Sequence, residues 1–129
     1  MSGISHIALN VRDLEGAKQF FVHYFGATVN LPHYKNPKTD LETCFLTFSD
    51  DSRLELMSWP EMTEKPLGTK VEGFVHIAFS LGSKEAVDTL TATLREDGVL
   101  VLSGPRTTGD GYYESLIKDS EGNLIEITV

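Results

Sequence analysis

Apolar and polar residues alternate from Ser5 to Val11, with Ile7, Leu9 and Val11 on one side and His6, Ala8 and Asn10 on the other. That is the period of a half-buried strand. The period then changes. Leu14, Ala17, Phe20, Phe21, Tyr24 and Phe25 recur at helical spacing between Asp13, a good N-cap, and Gly26, a good C-terminal stop. Residues 27–31 read as a strand, 32–41 as a polar loop, 42–48 as a strand, 49–52 as a turn and 53–58 as a strand in which Leu54 and Leu56 oppose Arg53, Glu55 and Met57. The same order then returns. A strand at 73–81 leads to a helix capped by Ser83 and ended by Gly98, with Ala86, Val87, Leu90 and Leu94 on its buried side. Strands follow at 99–103, 112–118 and 123–129, the last two joined by the turn 119–123. Each half is therefore βαβββ.

The repetition extends to letters. G-I-S-H-I-A-L-N-V at 3–11 returns seventy positions later as G-F-V-H-I-A-F-S-L, and R-L-E-L-M at 53–57 returns seventy-one positions later as L-I-E-I-T. His6 and His76 are thus equivalent, as are Glu55 and Glu126, and one rotation would carry both members of the first pair onto the second. All four lie opposite the apolar set of their strands, and small Ala78 and Ser80 leave room beside His76. Two imidazoles and two carboxylates make an N2O2 donor set suited to a divalent cation: nickel, zinc, cobalt, iron or manganese. Chance placement of four solvated side chains would have to explain why both types recur in register. Asn10 and Arg53 share that face by alternation and are candidate substrate contacts. His23 and His33 have no echo and receive no role.

A chain of 129 residues has the size of one domain, here made of a module at about 1–58, a linker at 59–72 with two prolines and a glycine, and a module at about 73–129. Each half would form a curled sheet with its helix on the convex side, so the expected fold is α+β, two tandem βαβββ modules forming a half-open, barrel-like cleft that holds the four donors. A net charge of −8 and a pI near 4.8 argue against nucleic acid or an anionic membrane as partner. The single cysteine, Cys44, excludes an intramolecular disulfide and a cysteine-based zinc knuckle. Residues 1–6 lack a basic stretch followed by an apolar one, and no run approaches a membrane span, so a soluble, cytoplasmic protein is expected.

These motifs resemble the vicinal oxygen chelate superfamily, the glyoxalase/bleomycin resistance/dioxygenase group of paired βαβββ proteins, and the resemblance covers essentially the whole chain. H-I-A-L-N-V-R-D-L, R-L-E-L-M, H-I-A-F-S-L and D-S-E-G-N-L-I-E-I carry it. Within that group the His, Glu, His, Glu order is that of glyoxalase I-like members. It implies one divalent metal ion per site held by His6, Glu55, His76 and Glu126, and a small-molecule substrate with vicinal oxygens. The implied activity is that of a lactoylglutathione lyase-like enzyme, acting on the hemithioacetal of a 2-oxoaldehyde and a thiol through a metal-bound enediolate. Glu126 is the expected base and Glu55 the alternative, and the expected assembly is a homodimer. Epimerisation, ring-cleaving oxygenation and non-catalytic binding of a small molecule are the other activities on this scaffold. Asn10 departs from the glutathione-dependent bacterial enzymes, which carry at that place an arginine that helps hold a glutathione carboxylate. Asparagine does not supply that charge.

Overall fold

The computed structural model describes residues 1–64, 66 and 70–129, so residues 65 and 67–69 of the expected linker lie outside the described residues. The chain divides into two units, Met1–Glu64 and Lys65–Val129. The first contains β1 (Ile7–Asn10), α1 (Leu14–Phe25), β2 (Thr28–Lys35), β3 (Glu42–Thr47) and β4 (Arg53–Ser58). The second contains β5 (His76–Ser80), α2 (Lys84–Glu96), β6 (Leu100–Thr107), β7 (Tyr113–Lys118) and β8 (Leu124–Thr128). Each unit is thus βαβββ, and the fold is α+β as the sequence predicts.

The sheet orders are β1-β4-β3-β2 and β5-β8-β7-β6, with the first strand parallel to the last in each unit and the other pairings antiparallel. The duplication holds residue by residue. Ala8 pairs with Glu55 and Ala78 with Glu126; Phe45 faces Glu55 across β3 as Leu116 faces Glu126 across β7. Even the hairpins coincide. Phe48 N–H donates to Ser52 O and Asp51 N–H to Phe48 O, while Asp119 N–H donates to Asn123 O and Gly122 N–H to Asp119 O. The left-handed residue of that turn is Asp51, φ 66°, in one unit and Gly122, φ 84°, in the other.

The helices begin where their caps dictate. Asp13 Oδ1 accepts from Gly16 N–H at 2.9 Å, and Ser83 Oγ accepts from Ala86 N–H at 3.1 Å, each satisfying a donor of the first turn. Gly26, at φ 66°, closes α1 in the left-handed conformation. α1 packs on β3 and β4, and α2 packs on β6, β7 and β8. Phe21, Cys44, Leu46, Leu54 and Leu56 are buried in the first core, and Val87, Leu94, Ile117, Ile125 and Ile127 in the second. In the second core Thr91 is also buried. Its hydroxyl donates to Val87 O and lies 2.7 Å from Ser115 Oγ.

Three sequence-based expectations change. The apolar face expected to be continuous thins out on the edge strands, where Ile7 and Val75 are partly exposed while Leu54, Leu56, Ile125 and Ile127 of β4 and β8 are buried. The helices pack on the other three strands of each sheet and reach β1 and β5 least. β2 continues through residue 35 and β6 through residue 107, into stretches expected to be loop. Pro32 and Pro105, both after cis peptide bonds, sit in β-bulges of these strands. Both strands are sheet edges, where the N–H that proline lacks is not needed by a neighbour. Among the described residues, no helix is long and apolar enough to cross a membrane.

Candidate functional site

His6 lies immediately before β1 and His76 opens β5, and each ends up beside the glutamate of its own unit. His6 Nε2 is 3.6 Å from Glu55 Oε1, and His76 Nε2 is 3.3 Å from Glu126 Oε2. The parallel pairing is the cause. With Ala8 opposite Glu55 and Ala78 opposite Glu126, a histidine two residues earlier on the same face can lean along the strand to its partner. The pairs are half-open to solvent, the imidazoles at 37% and 36% and the carboxylates at 17% and 23% exposure.

The donor geometry suits a cation. Two donors about 2.1 Å from one ion lie roughly 3.0 Å apart at a right angle and about 3.4 Å apart at the tetrahedral angle; the His76–Glu126 separation falls in that range and the His6–Glu55 separation slightly above it. Ser5 Oγ lies 3.1 Å from His6 Nδ1, so the outer ring nitrogen already has a partner while Nε2 turns toward Glu55. Metal-binding histidines are commonly held this way. Val75 takes the place of Ser5 in the second unit. Neither unit, among the described residues, gathers three histidine, cysteine or carboxylate side chains by itself. Each brings one histidine and one glutamate together.

The surroundings of the two pairs differ. His6 packs edge-on against Phe45, ring centroids 5.2 Å apart, and the Arg53 guanidinium lies 4.2 Å over the same ring. Arg53 is therefore beside the first pair, as alternation on β4 predicts. Asn10 lies one pleat farther along β1, where its Oδ1 accepts from Trp59 Nε1–H at 3.1 Å. In the second unit Glu114 of β7 lies diagonally across from Glu126 on the same face of the sheet. Burial first, and then the charge of Glu126, hold the Glu114 carboxyl above its ordinary value.

Four residues that sequence reading left unassigned therefore belong to these faces: Phe45, Trp59, Glu114 and, across the sheet from Asn10, Tyr34. Trp59 was legible in principle, since it continues the alternation Arg53, Glu55, Met57. Phe45 and Glu114 depend on the register between strands, which one sequence does not display. Cys44, buried on the helix side of β3, has its thiol pushed up by burial and takes no part.

The model of the Glyoxalase/Bleomycin resistance protein/Dioxygenase superfamily matches residues 3–127. An uncharacterized protein of Bacillus subtilis, YwkD, is 29% identical over 99 residues, 77% of this chain and 74% of that protein. The structure of a possible glyoxalase from Bacillus cereus is similar over the whole of both chains, at 28% identity and TM-score 0.74. The fosfomycin resistance protein FosX of Listeria monocytogenes, in its complex with Mn(II) and sulfate, aligns with all of this chain and 93% of its own at 22% identity and TM-score 0.73, a likeness of fold.

Proposed function

The chain belongs to the Glyoxalase/Bleomycin resistance protein/Dioxygenase superfamily, and from that premise we propose that it is a metal-dependent lyase/isomerase of the glyoxalase I type. It would convert the hemithioacetal of a 2-oxoaldehyde and a thiol to a 2-hydroxyacyl thioester. The observation that carries this reading is the recurrence of one histidine and one glutamate in the same strand register in both units. His6, Glu55, His76 and Glu126 would hold one divalent cation, which when bound supplies polarisation of the substrate's two adjacent oxygens. The two pairs would come from one chain or from two chains of a homodimer. FosX, with Mn(II) bound on the same fold, supports a metal but not its identity here.

The remaining work falls to the chain's own side chains. The reaction moves one proton from the carbon bearing sulfur to the neighbouring carbon and one from the hydroxyl oxygen of the first carbon to the carbonyl oxygen of the second, with no net oxidation, so the side chain it most needs is a base that takes and returns the carbon-bound proton. Glu126 is the favoured base. Its Oε2 faces His76 and leaves Oε1 to hold the proton. Glu114, on the same face of β7, gives it an acidic neighbour, where the equivalent place near Glu55 holds Thr43. Arg53 beside Glu55 would orient the substrate's oxygens and Asn10 its farther part.

The test is thioester absorbance when zinc- or nickel-loaded protein meets methylglyoxal with glutathione and, separately, with other small thiols. Turnover that disappears in Glu126→Gln is the expected result. Absence of turnover with every thiol, in protein shown to hold the metal, would sink the glyoxalase reading.

A further inference from the structure

One pleat beyond the glutamates, each unit presents a second transverse row on the same face. In the first unit the register runs Asn10 to Met57 to Thr43 to Tyr34, across all four strands. In the second it runs Ser80 to Thr128 to Glu114 to Arg106. The backbone frame is shared, yet the first row is uncharged and ends on an aromatic ring, Tyr34, while the second carries two hydroxyls and two opposite charges. Fold alone does not require that divergence, because the rows occupy equivalent places in two sheets of the same topology.

The first row is also walled. Trp59, next in alternation after Met57, is pinned by its hydrogen bond to Asn10 across 49 residues of sequence. Trp59 as a residue remains 38% exposed and Tyr34 53%, so two large aromatic residues reach solvent at the rim of the row. The nearby cations lie outside the row. Arg12 pairs with Glu64 at 3.4 Å, Lys35 with Glu42 at 3.4 Å, and Arg53 lies over Phe45.

We propose that the row Asn10–Met57–Thr43–Tyr34, walled by Trp59, is a subsite for an uncharged aryl or alkyl portion of the substrate. It rests on the reading of His6 and Glu55 as metal ligands, which would hold the substrate's oxygens one pleat away. Same-face neighbours on a strand are about 6.7 Å apart, so a tail of a few bonds reaches from one row to the next. Four strands span about 14 Å, the scale of a small-molecule tail and far below the roughly 800 Å² that a protein partner covers. The Asn10 amide nitrogen, not used by Trp59, is placed to donate to a carbonyl in that tail. An anionic carrier would find no charge complement in the row.

Trp59 is the only tryptophan of the chain, so its emission reports on the subsite directly. Zinc-loaded protein would be titrated with three hydroxamates that chelate through vicinal oxygens: acetohydroxamate, 3-phenylpropionohydroxamate and the monohydroxamate of succinic acid. The phenyl compound is expected to bind at least about tenfold more tightly than acetohydroxamate, from burial of its ring, and to shift the Trp59 emission. The succinic compound should show no such gain. By calorimetry, Trp59→Leu and, independently, Tyr34→Ala should each reduce the phenyl gain while leaving acetohydroxamate affinity unchanged. Equal binding of the phenyl and acetyl compounds, preference for the charged tail, or a phenyl gain intact in both variants would overturn the subsite alone. Failure of acetohydroxamate itself to bind would instead overturn the metal reading, and the subsite with it.

Discussion

The first unit fills its core with Phe21 where the second, at the equivalent helical position, has Thr91, and β3 offers Cys44 where β7 offers Ser115. One core is sealed by an aromatic ring, the other by a hydroxyl pair at 2.7 Å with no buried side-chain polar atom left unpaired among the described residues. The rows beyond the glutamates diverge in the opposite sense, aromatic and uncharged in the first unit, charged in the second. What both units keep is the parallel register of the first and last strands, and with it the His–Glu pair. The frame thus fixes donors, while packing and recognition are free to change around them.

The sharpest way to break the apparent equivalence of the pairs is to remove each carboxylate charge in turn. Glu126→Gln should lower kcat about 10³-fold, in the range for loss of a proton-transferring group. Glu55→Gln should act mainly through weaker metal binding, with kcat recovering at saturating zinc. The reverse pattern in steady-state kinetics would transfer the base to the first unit.

The cores come next. Phe21→Ala should cost about 3–5 kcal/mol by urea unfolding, as loss of a buried aromatic does. Thr91→Val should cost about 1–3 kcal/mol because it strands the Ser115 hydroxyl. Thr91→Val combined with Ser115→Ala should recover most of that loss, and a double variant no better than the single would show that the hydroxyl pair is not what seals the second core.

Smaller effects separate the hairpins. Gly122→Ala should lower stability by more than about 1 kcal/mol, since alanine is strained at positive φ, and Asp51→Gly should raise it by less than about 1 kcal/mol. Equal shifts of Tm in the two hairpins would contradict their different tolerance. Smallest of all is a pH effect confined to the second unit. Burial raises the Asp119 carboxyl, opposed by its hydrogen bonds from Asn123 and Glu121. A folded-state pKa above the unfolded one makes protonation favour the fold, fully below the unfolded pKa and progressively less as pH rises through the folded value. The Tm of the wild type should therefore gain on that of Asp119→Asn as pH falls from neutrality toward the ordinary carboxylate range. A gap moving the other way would show that the hydrogen bonds outweigh burial.

Much of this was legible in the chain. The βαβββ repeat, the caps Asp13 and Ser83, and the equivalence of His6 with His76 and of Glu55 with Glu126 follow from period and offset alone, because both are local patterns written twice; that each histidine meets the glutamate of its own unit needed the parallel strand register. Pro32 and Pro105 misled, since proline breaks an interior strand but is tolerated on an edge, and edge position is a property of strand order. Thr91 was hidden for a similar reason: a hydroxyl reads as surface until Ser115 is seen opposite. Phe45, Glu114 and Tyr34 needed the cross-strand register, and Trp59 was obscured by the prolines that follow it.

The central claim is that two duplicated pairs act as one donor set. Its most direct test is cobalt(II) binding followed by visible absorption and by metal stoichiometry in the wild type, His6→Ala and His76→Ala. One ion per chain, lost or weakened more than about 100-fold by either single substitution, is the expected result, since even outer partners of such ligands are worth 10–100-fold. Two independent ions per chain, or tight binding that survives either histidine substitution, would contradict it.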